Sequence, residues 1–147
     1  MSPEKDKELC EKYPKIFINR NSKISKNPIS RGITCGDGWF EILNTACSLI
    51  QDRCDLVYKR EGKDIQVIAL QIKEKFGSLR FYVVGGDDYI RGIIAMAESS
   101  STKICEDCGD AGKLYNEGWW ITQCEKCRKK YFEVYSNVDK QKKESEI

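Results

Sequence analysis

Histidine is absent from this chain of 147 residues. That omission removes Ser-His and Cys-His nucleophilic catalysis, imidazole acid–base chemistry and every metal site that needs an imidazole ligand. Also missing is any apolar run approaching the roughly 20 residues that span a bilayer. The opening MSPEKDKELCEKY has no apolar core of a signal peptide. Nor is there an excess of charge: 25 Lys and Arg against 23 Asp and Glu leave +2, too little to advertise nucleic-acid binding by charge alone. What is present, 40% hydrophobic and 33% charged residues, suits a folded chain rather than a disordered one. The length fits one ordinary domain, or a small domain with an appended module. A reducing cytoplasm is the expected compartment, and the eight cysteines are therefore read as metal ligands and core residues before disulfides.

The organising stretch is Ile65 to Val84, IQVIALQIKEKFGSLRFYVV. Two β-rich segments flank Gly77-Ser78, a Gly-first pair suited to a two-residue type II′ turn, so the stretch reads as a β-hairpin. That turn pairs Phe76 with Leu79, Lys75 with Arg80, Lys73 with Tyr82 and Glu74 with Phe81. One face then carries Lys73, Lys75, Arg80 and Tyr82. The other carries Ile68, Leu70, Ile72, Phe76, Leu79, Phe81 and Val83, with Glu74 among them, where a carboxylate has to be paired or buried. Like charges set opposite one another cost free energy unless an anion lies between them, so the cationic face is either simply solvated or an anion site.

Around the hairpin the periodicities are helical. Ser2 to Lys15 reads as a short amphipathic helix stopped by Pro14, and Asn19 to Ile33 as a loop. At Cys35-Gly36-Asp37-Gly38-Trp39 the chain enters its best helix, with Asp37 as the expected N-cap. Trp39, Ile42, Leu43, Ala46, Ile50, Cys54 and Val57 form its buried face, expected to pack on the hairpin. Cys10, Cys35, Cys47 and Cys54 are imaginable as a metal site but fit better as small buried hydrophobes. Gly85-Gly86-Asp87-Asp88 reads as a turn and N-cap for a second helix that buries Ile90, Ile93, Ile94 and Ala97, and capping explains the two carboxylates without invoking catalysis.

The most specific signal is C-terminal. Cys105-x2-Cys108 and Cys124-x2-Cys127 are separated by fifteen residues, the spacing of a zinc ribbon in which two knuckles on adjacent hairpins surround one ion. An iron–sulfur cluster and disulfides are the lesser alternatives. Four thiolates leave no open coordination position, so the zinc would be structural. Trp119 and Trp120 are expected on the ribbon's second strand, pointing to opposite sides. Tyr131, Phe132, Val134 and Tyr135 read as a last strand or helix turn, with a charged tail from Asp139.

The fold expected is therefore α+β: a β-hairpin-centred antiparallel sheet packed with two helices, plus a C-terminal four-cysteine zinc ribbon. It divides into an N-terminal helix and loop (1–34), an α+β core (35–102), the ribbon (103–130) and a tail (131–147). The motifs KYPKIF, CGDGWF, QIKEKFGSLRFYVVGGDDY, MAESSSTKICEDCG and GWWITQC resemble a family of small tailed-phage and prophage proteins over about Tyr13 to Cys127. The resemblance implies a phage product acting in the host bacterial cytoplasm, and it carries over no catalytic residues.

Three functions fit. The first is a non-enzymatic accessory protein that binds, and in a phage sequesters, an anionic nucleotide-type ligand such as a host immune signal. Lys73, Lys75 and Arg80 would meet phosphates, while Tyr82, Tyr89 or Trp39 stacks on a base. The second is a nucleic-acid-binding ribbon using Lys126, Arg128, Lys129, Lys130 and an exposed tryptophan. The third is an inhibitor that binds a host protein through Trp119 and Trp120. An enzyme is the least favoured reading, with Glu74 as its candidate base. Homo-oligomerisation is compatible with each, and no membrane is involved.

Overall fold

The computed structural model describes residues 1–22 and 27–134. In chain order it contains α1 (Pro3–Lys12), a 3-10 turn (Pro28–Arg31), a second 3-10 turn (Asp37–Trp39), α2 (Phe40–Glu61), β1 (Ile68–Lys75), β2 (Ser78–Val84), α3 (Asp88–Ser101), β3 (Lys113–Tyr115) and β4 (Ile121–Gln123). A fourth helix, α4, occupies residues 125–134. The class is α+β, built on two separate two-stranded antiparallel sheets, β1–β2 and β3–β4. No helix among the described residues is long and apolar enough to cross a membrane. Tyr135 and the tail from Asp139 lie outside the described residues.

The helices follow from their periodicity. α2 buries Phe40, Leu43, Ala46, Cys47, Ile50, Cys54 and Val57, a spacing of three and four that keeps one stripe inward over six turns. It stops at Gly62, whose φ of 66° supplies the left-handed residue that closes the last turn. α3 starts as expected: Asp87 accepts the Ile90 amide at 3.1 Å, and Arg53 of α2 donates to its other carboxylate oxygen at 2.8 Å. Asp37 does not cap α2. Its carboxylate instead accepts the Ser2 amide at 2.6 Å, fastening the chain start to the 3-10 turn.

The hairpin forms with a different turn. Lys75 pairs with Ser78, so the two turn residues are Phe76 and Gly77, at φ 52° and 71°. Two consecutive positive φ values belong to a type I′ turn, which, like the type II′ turn expected at Gly77-Ser78, matches the twist of the flanking strands. The register accordingly sets Lys73 against Arg80, Glu74 against Leu79 and Ile72 against Phe81. Relative to the expected pairing every partner moves by two residues, an even number. From Gln71 onward the faces therefore survive, with Gln71, Lys73, Lys75, Ser78, Arg80 and Tyr82 on one side and Ile72, Glu74, Leu79 and Phe81 on the other. Buried Ala69, opposite Val83, takes the apolar side expected for Ile68 and Leu70, and Phe76 sits in the turn instead of on that face. A bulge between Ala69 and Gln71 precedes this region.

A two-stranded sheet leaves two edges, and both are covered. On the β1 side the Ala69 amide donates to Ile16, and Thr34 exchanges backbone bonds with Ile72 and Glu74. On the β2 side α3 lies against the strand: Ser101 Oγ accepts the Leu79 amide and Glu98 the Phe81 amide, both at 2.9 Å. It is α3 that lies directly on β2, with α2 packed on α3. Covering the edges in this way satisfies the backbone and denies the strand to other chains. At the other end of the molecule Asp6, buried, takes two bonds from Arg20 (3.1 and 2.9 Å) and one from the Ile33 amide. Burial pushes the Asp6 carboxyl up, but these bonds outweigh it and hold the group below the usual carboxylate value.

Candidate functional site

The four cysteines of the two C-x2-C pairs converge. Their sulfur atoms all lie within 4.8 Å of one another, with Cys108 and Cys124 at 3.7 Å. A tetrahedral thiolate site with metal–sulfur bonds of about 2.3 Å has sulfur–sulfur edges of about 3.8 Å, so the quartet suits an ion of that kind. The Cys127 amide points at Cys124 Sγ (3.4 Å), a bond that favours thiolate and brings the Cys124 thiol down to about 7. Burial and the neighbouring sulfurs push Cys127 up. Several ionised sulfurs at such contact repel one another, and a cation resolves that repulsion. The second pair does not sit on a second hairpin, as a two-hairpin ribbon would have it. Cys124 follows β4, and Cys127 lies in the first turn of α4.

The glycine-rich stretch before α2 belongs to this centre. The Gly38 amide donates to the Glu106 carbonyl at 2.7 Å, and the Gly36 amide to the Glu106 carboxylate at 2.9 Å. A Cβ on Gly38 would collide with the Cys105 carbonyl, and one on Gly36 with that of Glu106. The two glycines exist so that backbone can lie on backbone. Trp39, with no exposed surface, donates its indole N–H to the Ile104 carbonyl at 2.9 Å. This overturns the expectation that Trp39 stacks on a ligand, since its ring is core and its only polar atom is used. Sequence reading missed the role of CGDGW because its partner lies some seventy residues away; the paired glycines before a tryptophan were the available signal.

The other cysteines form no second centre. Among the described residues the quartet is the one cluster of three or more histidines, cysteines or carboxylates placed to hold an ion. Burial pushes the Cys35 and Cys10 thiols up to about 12. Cys47 is wholly enclosed, and Cys54 Sγ faces the Ile65 carbonyl at 3.5 Å.

On the hairpin, strand alternation puts Lys73, Lys75, Arg80 and Tyr82 on one side, Lys73 directly against Arg80. Lys73 Nζ stands 5.8 Å from the Tyr82 ring centre, and the Arg80 guanidinium donates to Ser78 Oγ at 2.7 Å. Five ion pairs occur among the described residues, and none includes these three cations. Glu74, on the opposite face, is engaged as expected: its carboxylate accepts the Gly77 amide at 2.7 Å. Tyr89 does not join the row. It lies over Arg53, 5.2 Å from the guanidinium carbon, in a shallow groove with Leu49, Asp52 and Leu56.

Beside the hairpin tip is a groove of about 640 Å³ lined by Glu74, Lys75, Phe76, Gly118, Trp119 and Trp120. Trp119 and Trp120 precede β4 rather than occupying it, and both are exposed, at 77% and 43%. Phe76 is 62% exposed and meets Trp120 edge to face at 6.1 Å. The expected place for both tryptophans on the ribbon's second strand is therefore not the one they take. On α4, Lys126, Lys129 and Lys130 face solvent, whereas the Arg128 guanidinium stacks 3.5 Å from the Tyr115 ring centre. No family model, curated protein or solved structure matches the chain.

Proposed function

We propose that the protein is a non-enzymatic binding protein that captures an anionic, nucleotide-type ligand on the hairpin face of Lys73, Lys75, Arg80 and Tyr82. The observation that carries this reading is a row of three cations, Lys75 exposed and Lys73 and Arg80 half-buried, without a carboxylate partner, in a chain whose 23 acidic residues were available to neutralise it. Charge-assisted bonds from such cations to phosphate contribute on the order of 1.5 to 3 kcal/mol each. In the phage setting implied by the sequence motifs, the ligand is a nucleotide signal of the host's defence, and sequestering it is the activity.

The four-cysteine centre has a different part in this proposal. It holds zinc, as the convergence of its four sulfurs supports, and a closed site of four thiolates does structural work. The stacking of Arg128 on Tyr115 favours a packing role for α4 over a nucleic-acid surface there. The test is calorimetric titration with nucleoside phosphates. The pair Lys75→Ala with Arg80→Ala should weaken binding by at least about tenfold, while Lys126→Ala with Lys129→Ala leaves it unchanged. If the α4 pair abolishes binding and the hairpin pair does not, the ligand sits on α4 and the proposal is wrong.

A further inference from the structure

We infer that the aromatic groove at the hairpin tip receives the bases of a single-stranded oligonucleotide whose phosphates run along Lys73, Lys75 and Arg80. This rests on the anion-binding reading of that row and names the ligand class the row serves. The first observation is Phe76. Its φ of 52° is a conformation that a side chain adopts only against steric resistance, and glycine or asparagine would take it more easily. Burial does not explain the choice, because the ring is more than half exposed. Strain held by an exposed aromatic side chain marks a contact surface.

The second observation is continuity. Lys75 lines the groove and also belongs to the cation row, so rings and cations follow one another along a single surface. Lys73 and Lys75 stand about 7 Å apart along their strand, a spacing that neighbouring phosphates of an extended chain can match. An apolar peptide would fill the groove and leave the cations unanswered. A mononucleotide would answer one ring and one or two cations. Alternating phosphates and bases answer both, which is how proteins bind single strands with little sequence preference. The groove's one carboxylate, Glu74, is already engaged by the Gly77 amide.

Tryptophan fluorescence gives the test, since Trp119 and Trp120 are exposed while Trp39 is enclosed. The metal-loaded full chain is titrated at low salt with oligothymidylate of about twelve nucleotides, with thymidine monophosphate and with inorganic phosphate. Oligothymidylate should quench the emission and bind at least about tenfold more tightly than the mononucleotide. Trp119→Ala and Phe76→Gly should each weaken it by about fivefold to a hundredfold without altering phosphate binding. Phe76→Gly keeps the positive φ, and the emission of Trp39 reports whether each variant is folded.

If phosphate and oligothymidylate bind, and lose affinity in the Lys75→Ala, Arg80→Ala pair, but neither groove variant matters and no quench occurs, the inference fails and the anion site stands. If oligothymidylate quenches and depends on Trp119 but not on the cations, the anion site fails and the inferred path of the phosphates fails with it. Absence of oligothymidylate binding, with a co-purifying protein lost on Trp119→Ala, makes the groove a protein-docking surface and overturns the inference.

Discussion

The knuckle of Cys105 and the face of the hairpin use similar residue types to opposite ends. At the knuckle backbone and side chains answer one another closely: two glycine amides meet Glu106, the Trp39 indole meets Ile104, and no side chain could be added to Gly36 or Gly38 without collision. On the hairpin the cations have no acidic partner and an exposed phenylalanine holds a left-handed backbone, and beside its tip two tryptophans that precede β4 face solvent. The most recognisable motifs of the chain, CGDGW and the cysteine pairs, are thus committed to architecture. The proposed binding surface lies where local rules are broken. Satisfied groups hold a fold together, and unsatisfied ones are free to meet a ligand.

The sharpest way to break this comparison is to deny the cysteine quartet its proposed zinc. Structural zinc sites carry binding free energies on the order of 10 kcal/mol, so chelation, or Cys105→Ser, should unfold more than the module. Near-ultraviolet circular dichroism and Trp39 emission should both report loss of the core. If Trp39 stays enclosed, the knuckle is an accessory rather than a foundation.

Next in size is Asp6→Asn, which leaves Arg20 partly buried without its partner and should cost about 3 kcal/mol or more in denaturant unfolding. Because the folded carboxyl lies below its ordinary value of 3.8, its stabilisation is complete above that value and fades as pH falls through the lowered one. Stability curves of variant and parent should therefore converge only in strong acid.

Gly38→Ala should cost roughly 3 kcal/mol and weaken metal retention, since the new methyl meets backbone on the Cys105 knuckle. Gly92→Ala, in the open middle of α3, should instead add about 0.5 to 1 kcal/mol. Equal effects at the two glycines would erase the distinction between cradle and ordinary helix. The smallest effect on stability is expected at the hairpin tip. Phe76→Gly relieves left-handed strain while losing the contact with Trp120, so its melting free energy should change by no more than about 1 kcal/mol.

Much of this was legible in the chain. α2 and α3 announced themselves through spacing, Asp87 through its position, and the quartet through C-x2-C pairs, because each depends on neighbours within a few residues. The faces of the hairpin were legible even though the turn was not: a Gly-first rule selected Gly77-Ser78, and the displacement to Phe76-Gly77 preserved parity. What could not be read were contacts across the fold. Nothing local to Trp39 says that its indole is answered by Ile104, or local to Trp119 that the hairpin tip of another sheet supplies the opposite wall of a groove. Asp37 failed as a cap for the same reason, its oxygen being taken by Ser2 from the far end of the sequence.

One bond between the two regions remains. Thr122, two residues before Cys124, donates its hydroxyl to the Gly77 carbonyl at 2.6 Å, and a Cβ on Gly77 would collide with Leu114. The turn that displays Phe76 is thereby riveted to the strand that leads into Cys124 of the cysteine quartet. Coupling of this kind is reciprocal. If zinc fills the quartet and a ligand grips the hairpin tip, the ligand would slow the escape of the ion and loss of the ion would loosen the grip, so the rate of metal release would serve as a clock for occupancy of a distant surface.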